Sequence, residues 1–353
     1  MNRQTQYEPA LDGVRGVAVL SVLVFHALPT IVSGGFLGVD IFFALSGYLI
    51  TGLLLSEYEK KGSIDIKQFF AKRWFRLMPA LLAMLLVYGL ASWLFSPTAT
   101  LKNQGVDILA ALFYATNWVR ISTLNAPTDL GHTWSLAVEA QFYLVWPFLV
   151  WALLRTLGIG FRLLLVIVAM ALLSAGVRWL LVSQGADVSR VYNGSDVRAE
   201  TLMWGAALAV WIKLRSTNLS GREALVSGGI AWVALSGVFL LIVQAQWLST
   251  LYYLFGMTSI ALLTIILIWY LYSIEQSYLK RVFEQPWLVW VGSVSYGLYL
   301  WHFPVYQMLL SWGFADGYLL AVGLIVSIAL AALSFYQMER PLIRWYRSRI
   351  QQW

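Results

Sequence analysis

Arg15 and His26 stand eleven residues apart in an apolar run, with no ionisable group between them. At about 100° per residue that spacing returns to within about 20° of one helical face, and separates the two by roughly 16 Å along the axis. One face therefore offers a permanent cation at one end and a titratable base at the other. A snorkelling arginine and a hydrogen-bonded core histidine are the ordinary reading of each alone. Their shared face in an otherwise apolar helix favours function, because ionisable groups in hydrocarbon are costly. Asp40 opens the next apolar run and lies level with His26 in the expected arrangement, where a carboxylate fixes an imidazole tautomer. Glu139 and His132 fall at the same end of a later run, and Arg198 and Glu200 lead into another. These groups can converge on an outward-facing polar pocket, although Glu200 and Arg190 read as ordinary helix-end charges. Arg73 and Arg76, at i, i+3 in KRWFRLMP, can face one anion such as the phosphates of coenzyme A. The lysines around them, Lys60, Lys61, Lys67 and Lys72, read as positive-inside charge against anionic lipid.

The elements that position these groups must be membrane helices. Hydrophobic residues make up 60% of the 353 and charged residues 12%, half the share of an ordinary soluble domain. The expected fold is an all-α integral membrane protein of about ten transmembrane helices in a single domain, 1–353. Spans are predicted near 10–29, 36–55, 76–96, 137–154, 161–182, 199–213, 224–243, 250–272, 286–310 and 318–337. A shorter segment, 105–119, reads as re-entrant or interfacial. With a cytoplasmic N-terminus, eighteen Lys and Arg, from Arg3 to Arg349, fall in the inner loops. Five fall outside: Lys102, Arg120, Arg178, Arg190 and Arg198. That asymmetry predicts both termini in the cytoplasm. Residues 1–9 are polar and form no convincing cleavable signal. The heavy load of Trp and Tyr suits interfacial belts.

Composition also narrows the chemistry. There is no cysteine, which excludes thiolate zinc sites and a cysteine nucleophile, and a poly-imidazole metal site would need nearly all three histidines. No metal and no permanently bound cofactor is expected. The net charge of +7 reads as topology and attraction to anionic lipid, not nucleic-acid binding. Gly34, Gly35, Gly38 and Gly47 read as permitting a tight turn and close helix approach.

Taken in order, YEPALDGVRGVAVLSVLVFH, GFLGVDIFFALSGYLIT, KRWFRLMP, HTWSLAVEAQFYLVWP, SYGLYLWHFP and ERP resemble the membrane acyltransferase family 3, over essentially the whole chain. The resemblance implies transfer of an acyl group, usually acetyl, from cytoplasmic acyl-CoA to a hydroxyl of an envelope or secreted glycan. O-antigen, lipopolysaccharide or exopolysaccharide, free or lipid-linked, are the implied acceptors, and the bacterial inner membrane the implied location. It makes His26 the catalytic histidine and Arg15 its partner, also near the donor; from the positions of the residues themselves, Asp40 or Glu139 is expected to orient that histidine. It matches Arg73 and Arg76 to the donor-binding RxxR element, and Trp134, Ser135 and Glu139 to the WSLxVE element. Trp134, Ser135, His132, Arg198, Tyr299 and His302 are then expected on the acceptor side, His302 more as a packed or substrate-facing residue than as a second base. Glu339, in ERP, is expected to be structural. Many relatives carry a fused SGNH-type esterase domain, and this chain is expected to act without one. The rival readings are an acyltransferase for a small-molecule or amine acceptor, and a proton-coupled transporter, against which stands the lack of an inverted repeat between halves.

Overall fold

The computed structural model describes residues 7–95, 101–122, 129–215, 219–314 and 316–350. Arg3, counted above among the inner charges, lies outside them. Helices account for the regular structure, with no strand among the described residues. In chain order they are α1 (Pro9–Ala27), α2 (Gly38–Lys61), α3 (Ile66–Phe95), α4 (Leu101–Leu112), α5 (Thr116–Ile121), α6 (Trp134–Leu157), α7 (Phe161–Ser183), α8 (Val188–Asn193) and α9 (Ser195–Leu214). There follow α10 (Gly221–Gln244), α11 (Met257–Ser273), α12 (Tyr278–Phe283), α13 (Pro286–Ser293), α14 (Ser295–Ser311), α15 (Asp316–Tyr318), α16 (Leu324–Ser334) and α17 (Arg340–Ile350).

Eight helical stretches among the described residues are long and apolar enough to cross a membrane: Pro9–Ala27, Gly35–Lys61, Ile66–Leu94, Gly131–Leu157, Phe161–Ser183, Gly221–Gln244, Tyr252–Ser273 and Leu319–Tyr346. Two expected spans differ. α9 has the length, but Asp196, Arg198, Glu200 and Lys213 lower its hydropathy. The stretch 286–310 is not one helix, because it breaks after Ser293, where Val294 leaves helical backbone (φ −97°, ψ 6°). Segment 105–119 folds as the end of α4 and most of α5, separated at Tyr114. Tyr114, at φ 51°, is the one non-glycine residue of positive φ among those described, and it turns the chain between two helices too short to span.

Local sequence explains the helix ends. Pro9 and Pro286 start α1 and α13, where a missing N–H costs nothing. Asp187 and Ser277 cap α8 and α12 by accepting the N–H of Ser189 and Lys280. Gly62, at φ 68°, ends α2 in the left-handed conformation.

The chain divides into two compact units. The first comprises Met1–Phe25, Pro29–Ile64 and Gln141–Ser293. Its centre is α2 packed on α9, and α9 on α7. The approach of α2 to α9 needs glycine on both helices. A Cβ on Gly47 would strike the Leu202 carbonyl, and one on Gly205 the Ala44 carbonyl. Gly47 thus serves the close approach expected of it.

The second unit comprises His26–Leu28, Asp65–Ala140 and Val294–Trp353. Within it α14 packs on the helix that runs from α15 to α17, and that helix packs in turn on α3. Two π-turns interrupt the long helix, at Leu319–Gly323 and Phe335–Glu339. Ala27, Tyr306, Leu309 and Leu319 form a buried cluster at one end of the unit.

Candidate active site

Within the second unit the fold gathers all three histidines. His26 sits in the last turn of α1 and remains partly exposed, whereas His132 and His302 are buried. His302 lies mid-way along α14, with its Nδ1 2.8 Å from the Tyr299 carbonyl oxygen and 3.2 Å from that of Leu298. Carbonyl oxygens only accept, so Nδ1 of His302 carries the proton. In a neutral ring Nε2 is then an acceptor, and it lies 3.1 Å from Nδ1 of His26. His26 must therefore place its proton on Nδ1, which leaves the lone pair on Nε2. That is the tautomer a general base needs, set by a second imidazole where a carboxylate was expected.

His132 is held by its own segment. The carboxylate of Asp107 accepts the backbone N–H of Asp129 at 3.1 Å and of Leu130 at 3.3 Å. Thr133 donates to the Leu130 carbonyl at 2.7 Å, and so receives the hydroxyl proton of Thr116 at 2.9 Å. The short 3-10 turn Gly131–Thr133 follows, leading directly into α6. Nε2 of His132 donates to the Leu300 carbonyl at 3.2 Å, which leaves Nδ1 as a buried acceptor with no protein partner. Its ring stacks on Phe303, 5.0 Å between centroids, and Phe303 meets His26 edge-on at the same distance.

Ser135 and Tyr299 join this cluster but spend their protons within it. Tyr299 donates to the His132 carbonyl at 2.9 Å, and Ser135 lies 2.7 Å from the Tyr299 hydroxyl, to which it donates. Neither hydroxyl has a proton left for a developing oxyanion, so both position the segment. Trp134 opens α6 and is buried, and Glu139 lies one turn beyond Ser135. Tyr114 and Tyr296, hydrogen-bonded to each other, feel the Glu139 charge.

Arg73 and Arg76 lie near the start of α3 in this same unit. Arg73 packs over the Phe69 ring at 5.3 Å. Arg76 acts electrostatically on Glu339, whose carboxylate also accepts from Ser334 at 3.1 Å. The ERP glutamate thus meets the RxxR element.

Asp40, Arg198 and Arg15 belong to the first unit and are engaged there. Asp40 and Arg198 are fully buried and form an ion pair of 3.2 Å, and Thr201 and Tyr252 donate to the same carboxylate at 3.5 Å. Asp40, expected to orient His26, instead meets these groups. Arg15 pairs with Asp12 at 3.5 Å, and both side chains are partly exposed.

A second buried pair was not anticipated from sequence. Arg178 and Glu200 are both fully buried and 2.9 Å apart. Arg178 also donates to Thr258 at 2.7 Å and to the carbonyls of Tyr253 and Leu254. Those carbonyls belong to a π-turn, Tyr252–Gly256, whose altered backbone pairing presents them to the guanidinium. Arg178 and Arg198, counted above as outer-loop charges, are therefore interior residues. Glu200 is likewise not a helix-end charge, whereas Arg190 is one and pairs with Asp196 at 2.5 Å. An arginine inside the run LLSAGVRWLLV was the available signal for Arg178.

Although three imidazoles lie together, no group of three His, Asp or Glu is arranged to hold a metal ion among the described residues. What the cluster presents is a partly exposed imidazole of fixed tautomer beside a buried one. The acyltransferase-domain family (Acyl_transf_3) matches the chain over residues 8–336. The chain belongs to that family. It is 38% identical over 318 residues to the peptidoglycan O-acetyltransferase OatA of Listeria monocytogenes, an alignment covering 86% of this chain and 51% of the relative. It is 35% identical over 352 residues to "Putative peptidoglycan O-acetyltransferase YrhL" of Bacillus subtilis, covering 96% and 55%. The chain thus spans about half the length of these relatives. No solved structure matches it. With its apolar helices, the family member described here is a multi-pass membrane protein.

Proposed function

We propose that this family member is an O-acyltransferase of the bacterial inner membrane. It moves an acyl group, acetyl in the first instance, from cytoplasmic acyl-CoA to a hydroxyl of a cell-envelope glycan. The names of the relatives favour peptidoglycan as that glycan. The observation that carries the reading is the His26–His302 hydrogen bond, which sets the His26 tautomer with its proton on Nδ1, in a residue that is itself partly exposed.

In this mechanism Nε2 of His26 removes the proton of the acceptor hydroxyl as its oxygen attacks the thioester carbonyl. The tetrahedral intermediate collapses, the C–S bond breaks, and the coenzyme A thiolate takes the proton from His26. Ester and free thiol are the products. His302 orients the base and supports the positive charge that passes through it. Arg73 and Arg76 hold the phosphates of the donor at the inner mouth, where guanidinium forks suit phosphate oxygens. Ser135 and Tyr299 have no spare proton for the developing oxyanion, whereas Arg120, whose charge acts on His132, lies in the same unit. A covalent acyl-histidine is the competing route.

Purified protein, acetyl-CoA and solubilised glycan, with free coenzyme A as the readout, test the proposal. A general base contributes about 10²–10⁴-fold, and His26→Ala is expected to lose that much. Glycan-stimulated release that survives His26→Ala would overturn it. Rapid quench of labelled acetyl-CoA without acceptor separates the routes, because label held on protein marks the covalent one.

A further inference from the structure

The chemistry above leaves unused a cavity of about 740 Å³ in the second unit. Most of its lining is apolar, from α3, α14 and the α15–α17 helix, with Trp312 and Phe314, and its polar wall is made by Tyr88 of α3, Gln104 of α4, Asp129, and Trp301 of α14. Asp129 accepts the Tyr88 hydroxyl at 3.1 Å. Trp301 is 6% exposed, and its indole N–H is buried with no protein partner. A buried donor left unpaired is costly, so an acceptor atom supplied by a ligand would satisfy it.

The chemistry of the wall selects the occupant. Among the described residues no Lys or Arg lines the cavity, and Asp129 brings a negative charge, so a phosphate is disfavoured. A plain hydrocarbon chain would leave the Trp301 N–H unpaired and the carboxylate without a further donor. A sugar ring answers both, because each hydroxyl donates and accepts while the C–H face lies against an indole. None of the three histidines lines the cavity, but its wall shares their chain segments. Trp301 directly precedes His302 on α14, and Asp129 stands three residues before His132 in the segment clamped by Asp107.

We infer that this cavity is the saccharide subsite of the acceptor, in which Trp301 Nε1–H donates to a ring oxygen or hydroxyl and Asp129 accepts from a hydroxyl. The inference rests on the acyltransferase reading above. Trp301→Phe keeps the ring and deletes only the N–H, and Gln104→Leu removes a buried amide at similar volume. The assay uses solubilised N-acetylhexosamine oligosaccharide as acceptor and acetyl-CoA as donor, with thermal melting as the check on folding. Each variant is expected to raise the acceptor KM about tenfold, the size of one lost hydrogen bond to a buried group. The donor KM should stay within about twofold of wild type. Unchanged acceptor KM in both variants, or donor and acceptor KM rising together, would overturn the subsite. Wild-type protein that acylates no saccharide brings down the acyltransferase reading and the subsite with it. Transfer by wild type with an unaltered acceptor KM in the variants brings down the subsite alone.

Discussion

Replacing His302 by phenylalanine removes one nitrogen lone pair from a buried imidazole pair and keeps the ring. In the wild type that lone pair accepts the His26 Nδ1 proton at 3.1 Å and so holds the base nitrogen, Nε2, unprotonated. In the variant Nδ1–H of His26 faces a carbon edge. The lost bond and the stranded donor together cost about 1–3 kcal/mol. The proton is then free to move to Nε2, which silences the base. At 1.4 kcal/mol per decade, kcat for acyl transfer should fall about 5–150-fold. That is less than the about 10²–10⁴-fold expected for His26→Ala, because the base is misplaced and not removed. The carbonyls of Leu298 and Tyr299 keep their helical bonds, so the melting temperature should drop only modestly. Steady-state release of coenzyme A by His302→Phe, His26→Ala and the double variant decides it. The double variant should be no worse than His26→Ala alone, since His302 acts through His26. Activity of His302→Phe within about twofold of wild type would refute the orientation argument. A double variant additive in its losses would refute it too.

Three further outcomes follow from the packing. Arg178→Met strands the Glu200 carboxylate in a site where both partners are fully buried, and should destabilise the protein by about 3–5 kcal/mol in detergent melts. Adding Glu200→Leu should restore most of that, because it removes the uncompensated charge. Gly47→Val places side-chain atoms against the Leu202 backbone and should lower stability by at least about 1–3 kcal/mol, with no matching effect from Val at Gly52, beside which nothing lies. Arg73→Gln with Arg76→Gln should raise the acyl-CoA KM more than tenfold, by about 1.5–3 kcal/mol per lost charged hydrogen bond, and flatten its dependence on salt.

Much of the architecture could be read from the chain because the bilayer enforces long apolar helices. α1, α7 and α10 fall within a few residues of the spans predicted for them, and α2 runs on to Lys61, past the predicted end at 55. The misplaced charges have one cause. Hydropathy marks a charge as a boundary, and it cannot tell a loop charge from a buried one that has found a partner. Arg178 and Arg198 were misassigned for that reason, since Glu200 and Asp40 are distant in sequence. The break after Ser293 falls at a single residue, Val294, between two apolar helices, and hydropathy does not mark it. In the site, the residue types were legible but not their pairing. His26 was marked by its face and its spacing from Arg15. That His302 would supply the orienting nitrogen depends on how α14 lies against the end of α1, which no periodicity reports. The cavity beside it joins residues from Tyr88 to Trp312 that share no short motif.

The most direct test follows labelled acetyl from acetyl-CoA into glycan with the protein reconstituted in liposomes, wild type beside His26→Ala. Alkali-labile ester on the glycan is expected, formed by wild type and reduced by at least about 10²-fold in the variant. Folded wild-type protein that binds the donor and the glycan yet leaves all label on coenzyme A would contradict it.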